Sequence, residues 1–243
     1  MPTVLITRPL NAASELASEL GGYGYECIIE PMLTIIPTFS LRPTVDKLQA
    51  VMFTSRNALF ALKLASSVVD DLLNLPCFCV GPRTSRHAAD FGFRHIQCTN
   101  SDGAELAQFM SRTLSDKTSS ILHIVGQEVD NKAQNYLELQ GYNVITWSVY
   151  KAVPALDLTP SLVENFTQHR LSAVLLYSPR SAQALVALME KAALQACCKT
   201  MIAIGLSETV VEALKPIAWR NLVAAPAPTE DAVIECLRKM CPV

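Results

Sequence analysis

The chain repeats itself, and out of simple order. Phe53-Thr54-Ser55-Arg56-Asn57-Ala58 returns as Tyr177-Ser178-Pro179-Arg180-Ser181-Ala182, 124 residues further on. At the same spacing Cys79-Val80-Gly81 matches Ala203-Ile204-Gly205, and Asp102-Gly103-Ala104-Glu105-Leu106 answers Pro228-Thr229-Glu230-Asp231-Ala232 at 126. A second pair sets Val4-Leu5-Ile6 and Gly24-Tyr25-Glu26 against Ile121-Leu122-His123 and Gly141-Tyr142-Asn143, at 117. The order is therefore A, B, A′, B′. Two similar units are expected, with a binding cleft between them. Succession would give domains 1–118 and 119–243. In the alternative, A joins B′, and the chain leaves one domain, completes the other and returns. The connectors near 33–47 and 148–156 are both extended and bounded by proline. Pairing them as a two-stranded hinge favours the crossed arrangement.

Short β-rich runs alternate with helical patterns throughout. Strands are expected at 3–7, 25–30, 49–54, 77–80, 94–98, 121–125, 143–149, 172–177, 200–204 and 221–225. Ala173-Val174-Leu175-Leu176-Tyr177 is apolar throughout, as a strand covered on both faces must be. Amphipathic segments lie between, near 10–20, 56–67, 83–91, 103–114, 129–140, 159–168, 180–195, 207–215 and 229–240. Thr159-Pro160 has the form of a helix start, with Thr as cap and Pro at the first helical position. Thr229-Glu230-Asp231 is another, with acids where the helix dipole favours them. The class is α/β, with parallel sheets and right-handed crossovers.

Composition narrows the function. Half of the 243 residues are apolar, which leaves ample side chain to bury and excludes intrinsic disorder. The formal charge is −2, so the positive excess that nucleic acid or an anionic membrane demands is missing. No apolar run reaches the ~18 residues of a membrane span. The first residues enter a strand pattern without a basic leader, so an uncleaved cytoplasmic protein is expected. The eight cysteines form no Cys-x-x-Cys and the four histidines show no ligand spacing, so no metal site is expected. No Walker loop, Gly-x-Ser-x-Gly elbow or His-Glu-x-x-His is present.

Hydroxyl residues stand where helices follow strands: Thr54, Ser55, Thr84, Ser85, Ser178, Ser207 and Thr229. Helix starts offer unpaired N–H groups and a positive dipole end, and doubly wound sheets gather ligands at strand carboxyl ends. Ordinary N-capping, worth about 1 kcal/mol, explains any one of them; their recurrence in both repeats points to a shared anion site. Arg8, Arg56, Arg83, Arg86 and Arg180 accompany these starts, and a guanidinium fork suits a carboxylate. Tyr150 falls in the second connector between Val149 and Lys151. A phenol, neutral at pH 7 with its ordinary pKa of about 10, can donate a hydrogen bond to a leaving oxygen. Covering the hinge as an amphipathic aromatic is the equal alternative.

In order along the chain, Val4-Leu-Ile-Thr-Arg-Pro9, Phe53-Thr-Ser-Arg-Asn-Ala58, Val80-Gly-Pro-Arg-Thr84, Val149-Tyr150, Tyr177-Ser-Pro-Arg-Ser-Ala182, Ala203-Ile-Gly205 and Pro228-Thr229 resemble the uroporphyrinogen-III synthase family. The resemblance implies two similar doubly wound parallel-sheet domains of the HemD-like type, joined by a two-stranded β linker. The domains would be 1–34 with 154–243, and an inserted 46–148, with 35–45 and 149–153 as the hinge. It also implies a cofactor-independent hydro-lyase that dehydrates and cyclises hydroxymethylbilane, a linear tetrapyrrole with eight carboxylates, while inverting the last pyrrole ring. On the same resemblance Tyr150 assists loss of the hydroxyl, and Ser55, Thr84, Ser178 and Thr229 bind substrate carboxylates. Thr54, Arg8, Arg56, Arg180 and Ser207 join them as candidate contacts from their own positions. The expected protein is a monomer, with at most transient contact with the preceding pathway enzyme. A non-catalytic two-lobed receptor for a small polyanion is the alternative. The sequence departs from the family at Gly205-Leu206-Ser207-Glu208, where relatives often have Gly-Pro-Thr-Thr, and at Gly126-Gln127-Glu128, which lacks an Arg common after that strand.

Overall fold

The apolar runs form strands buried on both faces, and the amphipathic segments cover them. A computed structural model describes residues 1–66, 69–99 and 102–243, with only the backbone of Asn11. Ser67, the last residue of the segment expected to be helical from 56, lies outside them. In chain order the elements begin with β1 (Thr3–Ile6), α1 (Leu10–Gly22), β2 (Glu26–Ile29), β3 (Leu33–Pro37), β4 (Leu48–Phe53) and α2 (Arg56–Leu64). Next come β5 (Pro76–Val80), α3 (Pro82–Phe91), β6 (His95–Thr99), α4 (Gly103–Thr113), β7 (Ser120–Gly126), α5 (Lys132–Leu139) and β8 (Asn143–Pro154). The chain ends with α6 (Pro160–Thr167), β9 (Leu171–Leu176), α7 (Pro179–Lys191), β10 (Ile202–Gly205), α8 (Glu208–Leu214), β11 (Asn221–Ala224) and α9 (Glu230–Met240).

Two compact units result, Met1–Thr34 with Val153–Val243, and Ile35–Ala152. The first has a sheet ordered β11-β10-β9-β1-β2, parallel throughout its pairings. The second has β3-β8-β7-β4-β5-β6, in which the pairings from β8 to β6 are parallel. Thus β1 and β2 share a sheet with β9 to β11, and β7 and β8 with β4 to β6. Apart from edge strand β3, the two sheets have one topology, and in both the strand order reverses once: between β1 and β9, and between β7 and β4. β3 reads in sequence as a connector. Its burial alternates, with Leu33 and Ile35 inward and Thr34 and Ile36 outward, which suits an edge strand. Hydrogen bonds from Thr38 N–H to the Val149 carbonyl and from Ala155 N–H to the Met32 carbonyl run β3 antiparallel to β8.

Each sheet is covered on both sides. In the first unit Leu5, Val174 and Ala203 face a core with Leu162, Leu185 and Val210, whereas Val4, Leu175 and Ile204 face Leu16, Val233 and Leu237. In the second, Val51, Cys77 and Leu122 meet Leu59, Leu62 and Ala88, and Met52, Phe78 and Ile121 meet Leu106, Met110 and Leu137. Cys77 and Cys79 point to one face, their sulfurs 3.8 Å apart, and this contact, with burial second, pushes the Cys77 thiol far up. Each fully buried Leu of this kind is worth about 2–5 kcal/mol against truncation to Ala.

Helix starts follow local chemistry. Thr159 accepts from Leu162 N–H at 3.3 Å with Pro160 in the first helical position, and the buried Glu30 carboxylate accepts from the Thr159 N–H and hydroxyl. The caps of α2 and α7 are Ser55 and Ser178, 123 residues apart, so the structural equivalence lies one residue from the sequence match at 124. Phe53 and Leu176, the last residues of β4 and β9, keep that same 123 spacing. Similarly, the caps of α4 and α9 are Asp102 and Thr229, one residue off the match at 126.

Candidate functional site

The reversal of strand order places two helix starts apart at the carboxyl end of each sheet, where doubly wound folds receive ligands. In the first unit that edge carries Arg8, Tyr177, Ser178, Thr229 and Glu230. Arg8 follows β1, and its guanidinium carbon lies 4.2 Å from the centroid of the Tyr177 ring. The same guanidinium pairs with Glu230 in the first turn of α9. Glu230, expected only as a helix-start acid, therefore also neutralises the arginine. Ser178 caps α7, accepting from Ser181 N–H at 3.1 Å, and its hydroxyl lies 2.9 Å from that of Ser181. Thr229 caps α9 through Ala232 N–H at 3.3 Å. Arg180 is half-buried in the first turn of α7.

Ser207 behaves differently from the expectation that it caps its helix. It holds the cap position of α8 but makes no cap bond; its hydroxyl lies 2.9 Å from that of Thr209. The acid that follows, Glu208, stands in the first turn. The helix start at α3 is also corrected. Gly81, at φ +78, occupies the cap, and Thr84 lies inside the first turn and is 7% exposed. Only a residue without a side chain adopts that backbone cheaply, so glycine and not a hydroxyl residue stands at this cap. Arg56, at the start of α2, is 6% exposed.

The corresponding edge of the second unit carries Thr54, Ser55 and Tyr150. Ser55 caps α2 through Asn57 N–H at 3.2 Å. Thr54, between β4 and that cap, lies with its hydroxyl 3.3 Å from Nε2 of His123. His123 is fully buried on β7, where burial pushes its pKa down to about 4. The ring is neutral at pH 7. Its register partner on β4 is Met52, as Leu175 on β9 is that of Ile6, so His123 takes in this unit the place Ile6 holds in the other. In the sequence alone His123 is one of four scattered histidines without ligand spacing. The available signal is a histidine flanked by Ile121, Leu122, Ile124 and Val125 in a strand buried on both faces.

Tyr150 owes its direction to a bulge. Val125 pairs with Ser148 and Gly126 with Tyr150, which leaves Val149 as an extra residue on β8. Val149 and Tyr150 consequently both pack toward the core of Phe53 and Leu122, where a regular strand would alternate them. Gln127 N–H donates to the Tyr150 carbonyl at 2.7 Å and fastens the irregular register. The phenol ring lies over Gly126: a Cβ there would stand 2.7 Å from Cε2 and Cζ and 3.1 Å from the hydroxyl oxygen. Nothing in the sequence around Gly126 marks it as a site residue.

The ten candidates thus divide evenly: Arg8, Ser178, Arg180, Ser207 and Thr229 in one unit, Thr54, Ser55, Arg56, Thr84 and Tyr150 in the other. These are alcohols, guanidinium groups, helix N-termini and a phenol, a set suited to binding carboxylates and polarising a C–O bond. Among the described residues no group of three or more His, Cys, Asp or Glu is arranged to hold a metal ion. Among them, too, no helix is long and apolar enough to cross a membrane.

A family model described as uroporphyrinogen-III synthase HemD matches residues 14–235. The uroporphyrinogen-III synthase of Chlorobaculum parvum (strain DSM 263 / NCIMB 8327) is 37% identical over 78 residues, 31% of this chain and 32% of that protein. That match spans about a third of the relative's length. The crystal structure of uroporphyrinogen-III synthetase from Helicobacter pylori 26695 aligns with a TM-score of 0.64 at 16% identity, over 99% of this chain and 100% of that one. A mutant uroporphyrinogen III synthase from the extremely thermophilic bacterium Thermus thermophilus aligns at 0.53 and 13% identity, over 98% of both chains. At such identities these two structures speak for the fold alone. With the family model spanning most of the sequence, the chain belongs to the uroporphyrinogen-III synthase family.

Proposed function

We propose that this protein converts hydroxymethylbilane into uroporphyrinogen III. The observation that carries the reading is the bulge-directed phenol of Tyr150, set in a chain of this family and accompanied by helix N-termini at two sheet edges. The hydroxymethyl carbon of the substrate breaks its C–O bond with the electron pair leaving on oxygen, and the pyrrole nitrogen stabilises the resulting azafulvenium cation. A hydrogen bond from the Tyr150 hydroxyl to the departing oxygen lowers that barrier without full proton transfer. The substituted carbon of the last ring then attacks, and a spiro intermediate opens and recloses with that ring turned over. One proton is lost from the ring carbon, so water is the only other product. Such chemistry needs no cofactor, because the substrate supplies its own electrophile.

Left alone, the linear tetrapyrrole closes to the symmetric isomer, so orientation is the protein's main contribution. In this reading Ser55, Ser178, Thr229, Arg8 and Arg180 bind carboxylates, and Thr54, Arg56, Thr84 and Ser207 support or extend those contacts. The protein acts as a cytoplasmic monomer. A non-catalytic receptor is not favoured by the family to which the chain belongs. Incubation with hydroxymethylbilane followed by separation of the oxidised isomers tests the proposal. Excess isomer III is expected; the symmetric isomer alone, at the spontaneous rate, would overturn it.

A further inference from the structure

We infer that Gly126 is a positioning residue for the Tyr150 phenol, an inference that rests on the role proposed above for that hydroxyl. Three observations converge on it. The bulge at Val149 brings Tyr150 level with Gly126 on the neighbouring strand. The three heavy atoms nearest to a Cβ built at Gly126 all belong to the Tyr150 side chain, two of them at 2.7 Å. The neighbouring Gln127 N–H holds the Tyr150 carbonyl at 2.7 Å, so the backbone of Tyr150 cannot retreat to make room.

The backbone at Gly126 is not what requires glycine. Its φ lies outside the left-handed region that Gly24, Gly81, Gly92 and Gly141 occupy. What glycine supplies is a flat seat at the end of β7. The ring rests on the bare Cα, and the seat fixes how far the hydroxyl stands from the sheet edge. A methyl group at 126 is accommodated when the ring swings on χ1 and χ2, a motion that costs the fold little and carries the hydroxyl out of place. Misplacement of a catalytic group by about 1 Å is enough to lower turnover a hundredfold.

The test is a pair of substitutions crossed with each other. Gly126→Ala is expected to lower kcat by about tenfold to a hundredfold at nearly unchanged KM, with far-UV circular dichroism unchanged. In a Tyr150→Phe background the same substitution is expected to produce no further loss, because the hydroxyl it displaces is already gone. Full additivity of the two losses would overturn the inference, since Gly126 would then act through something other than the phenol. A readout independent of turnover accompanies this: 3-fluorotyrosine at position 150 is expected to shift its fluorine resonance on Gly126→Ala, and an unchanged resonance overturns the seat whatever the rates show. Full activity of Tyr150→Phe would instead remove the hydroxyl from the reaction and with it any catalytic consequence of the seat. If Gly126→Ala alone fails to fold, the same substitution in a Tyr150→Ser background is expected to leave the melting temperature of Tyr150→Ser unchanged, because the ring it strikes is gone. A further loss relative to Tyr150→Ser would overturn the seat, since the methyl would then collide with something other than the ring.

Discussion

The Arg8 guanidinium lies over the Tyr177 ring, 4.2 Å from its centroid, while pairing with Glu230 at the start of α9. The aromatic face fixes the arginine in place, and Glu230 takes its Nη1, one of the nitrogens that the proposed ligand carboxylate would use. On the proposed function, a ligand carboxylate competes with Glu230 for this guanidinium, and binding exchanges one for the other.

That exchange gives the first prediction. Replacing Arg8 by Lys keeps the charge but loses the planar fork, and is expected to raise KM by about tenfold to a hundredfold, the worth of a charge-assisted hydrogen bond. Glu230→Gln removes the competitor and is expected to lower KM severalfold. Steady-state kinetics on the two variants check both. An unchanged KM in both would make the pair a purely structural clasp.

Much of the fold is legible in the order of residues, because burial on both faces leaves an unmistakable signature. Ala173, Val174, Leu175 and Leu176 are each fully buried. The helix starts at Ser55, Thr159, Ser178 and Thr229 are legible for a similar reason, as capping is settled within four residues. Less visible is anything that depends on how distant strands align. The bulge at Val149 exists only as a mismatch between β7 and β8, so neither the direction of Tyr150 nor the significance of Gly126 is written in either strand alone. The cap of α3 is hidden for a local reason: Gly81 takes it through its positive φ, ahead of the hydroxyl residues Thr84 and Ser85. Arg8 and Glu230 are 222 residues apart, and nothing at either position signals the other.

Ser178 distinguishes a cap from a ligand contact. Asp caps as well as Ser, so Ser178→Asp is expected to leave the melting temperature within a few degrees. It also places a negative charge where the proposed ligand has its own. KM is expected to rise at least about tenfold, the effect of one like-charge contact, and the symmetric isomer to increase among the products. Ser178→Ala, by contrast, is expected to cost about 1 kcal/mol of stability, measured by urea unfolding. A Ser178→Asp enzyme with unaltered KM and product would confine this residue to capping.

His123 makes a prediction about acid. Its folded pKa of about 4 lies below the ordinary 6.5 because burial penalises the charged ring. The unfolded chain therefore takes up a proton at higher pH than the folded one does. The stability associated with the neutral ring is fully present above about pH 6.5, falls as the pH drops toward 4, and changes no further below that. The loss across this window is about 3 kcal/mol by linkage. In His123→Gln, which keeps a group facing the Thr54 hydroxyl, this part of the acid sensitivity is expected to vanish. Urea midpoints of both proteins at pH 7, 5.5 and 4.5 check it; parallel losses in the two would mean that another group titrates.

Tyr150 separates rate from steering. If its hydroxyl only assists departure of oxygen, then Tyr150→Phe is expected to lower kcat by about a hundredfold, the lower range for a positioned proton donor, with KM nearly unchanged. The ring of Phe still rests on Gly126 and packs toward Phe53 and Leu122, so the melting temperature is expected to hold. The decisive reading is the product. On the proposed mechanism, inversion of the last ring is governed by how the carboxylates are held, not by how fast the hydroxyl leaves, so the slow variant is expected to make isomer III once the spontaneous background is subtracted. Appearance of the symmetric isomer at a rate above that background would instead assign Tyr150 to steering, with its hydroxyl holding the inverted ring while the macrocycle closes.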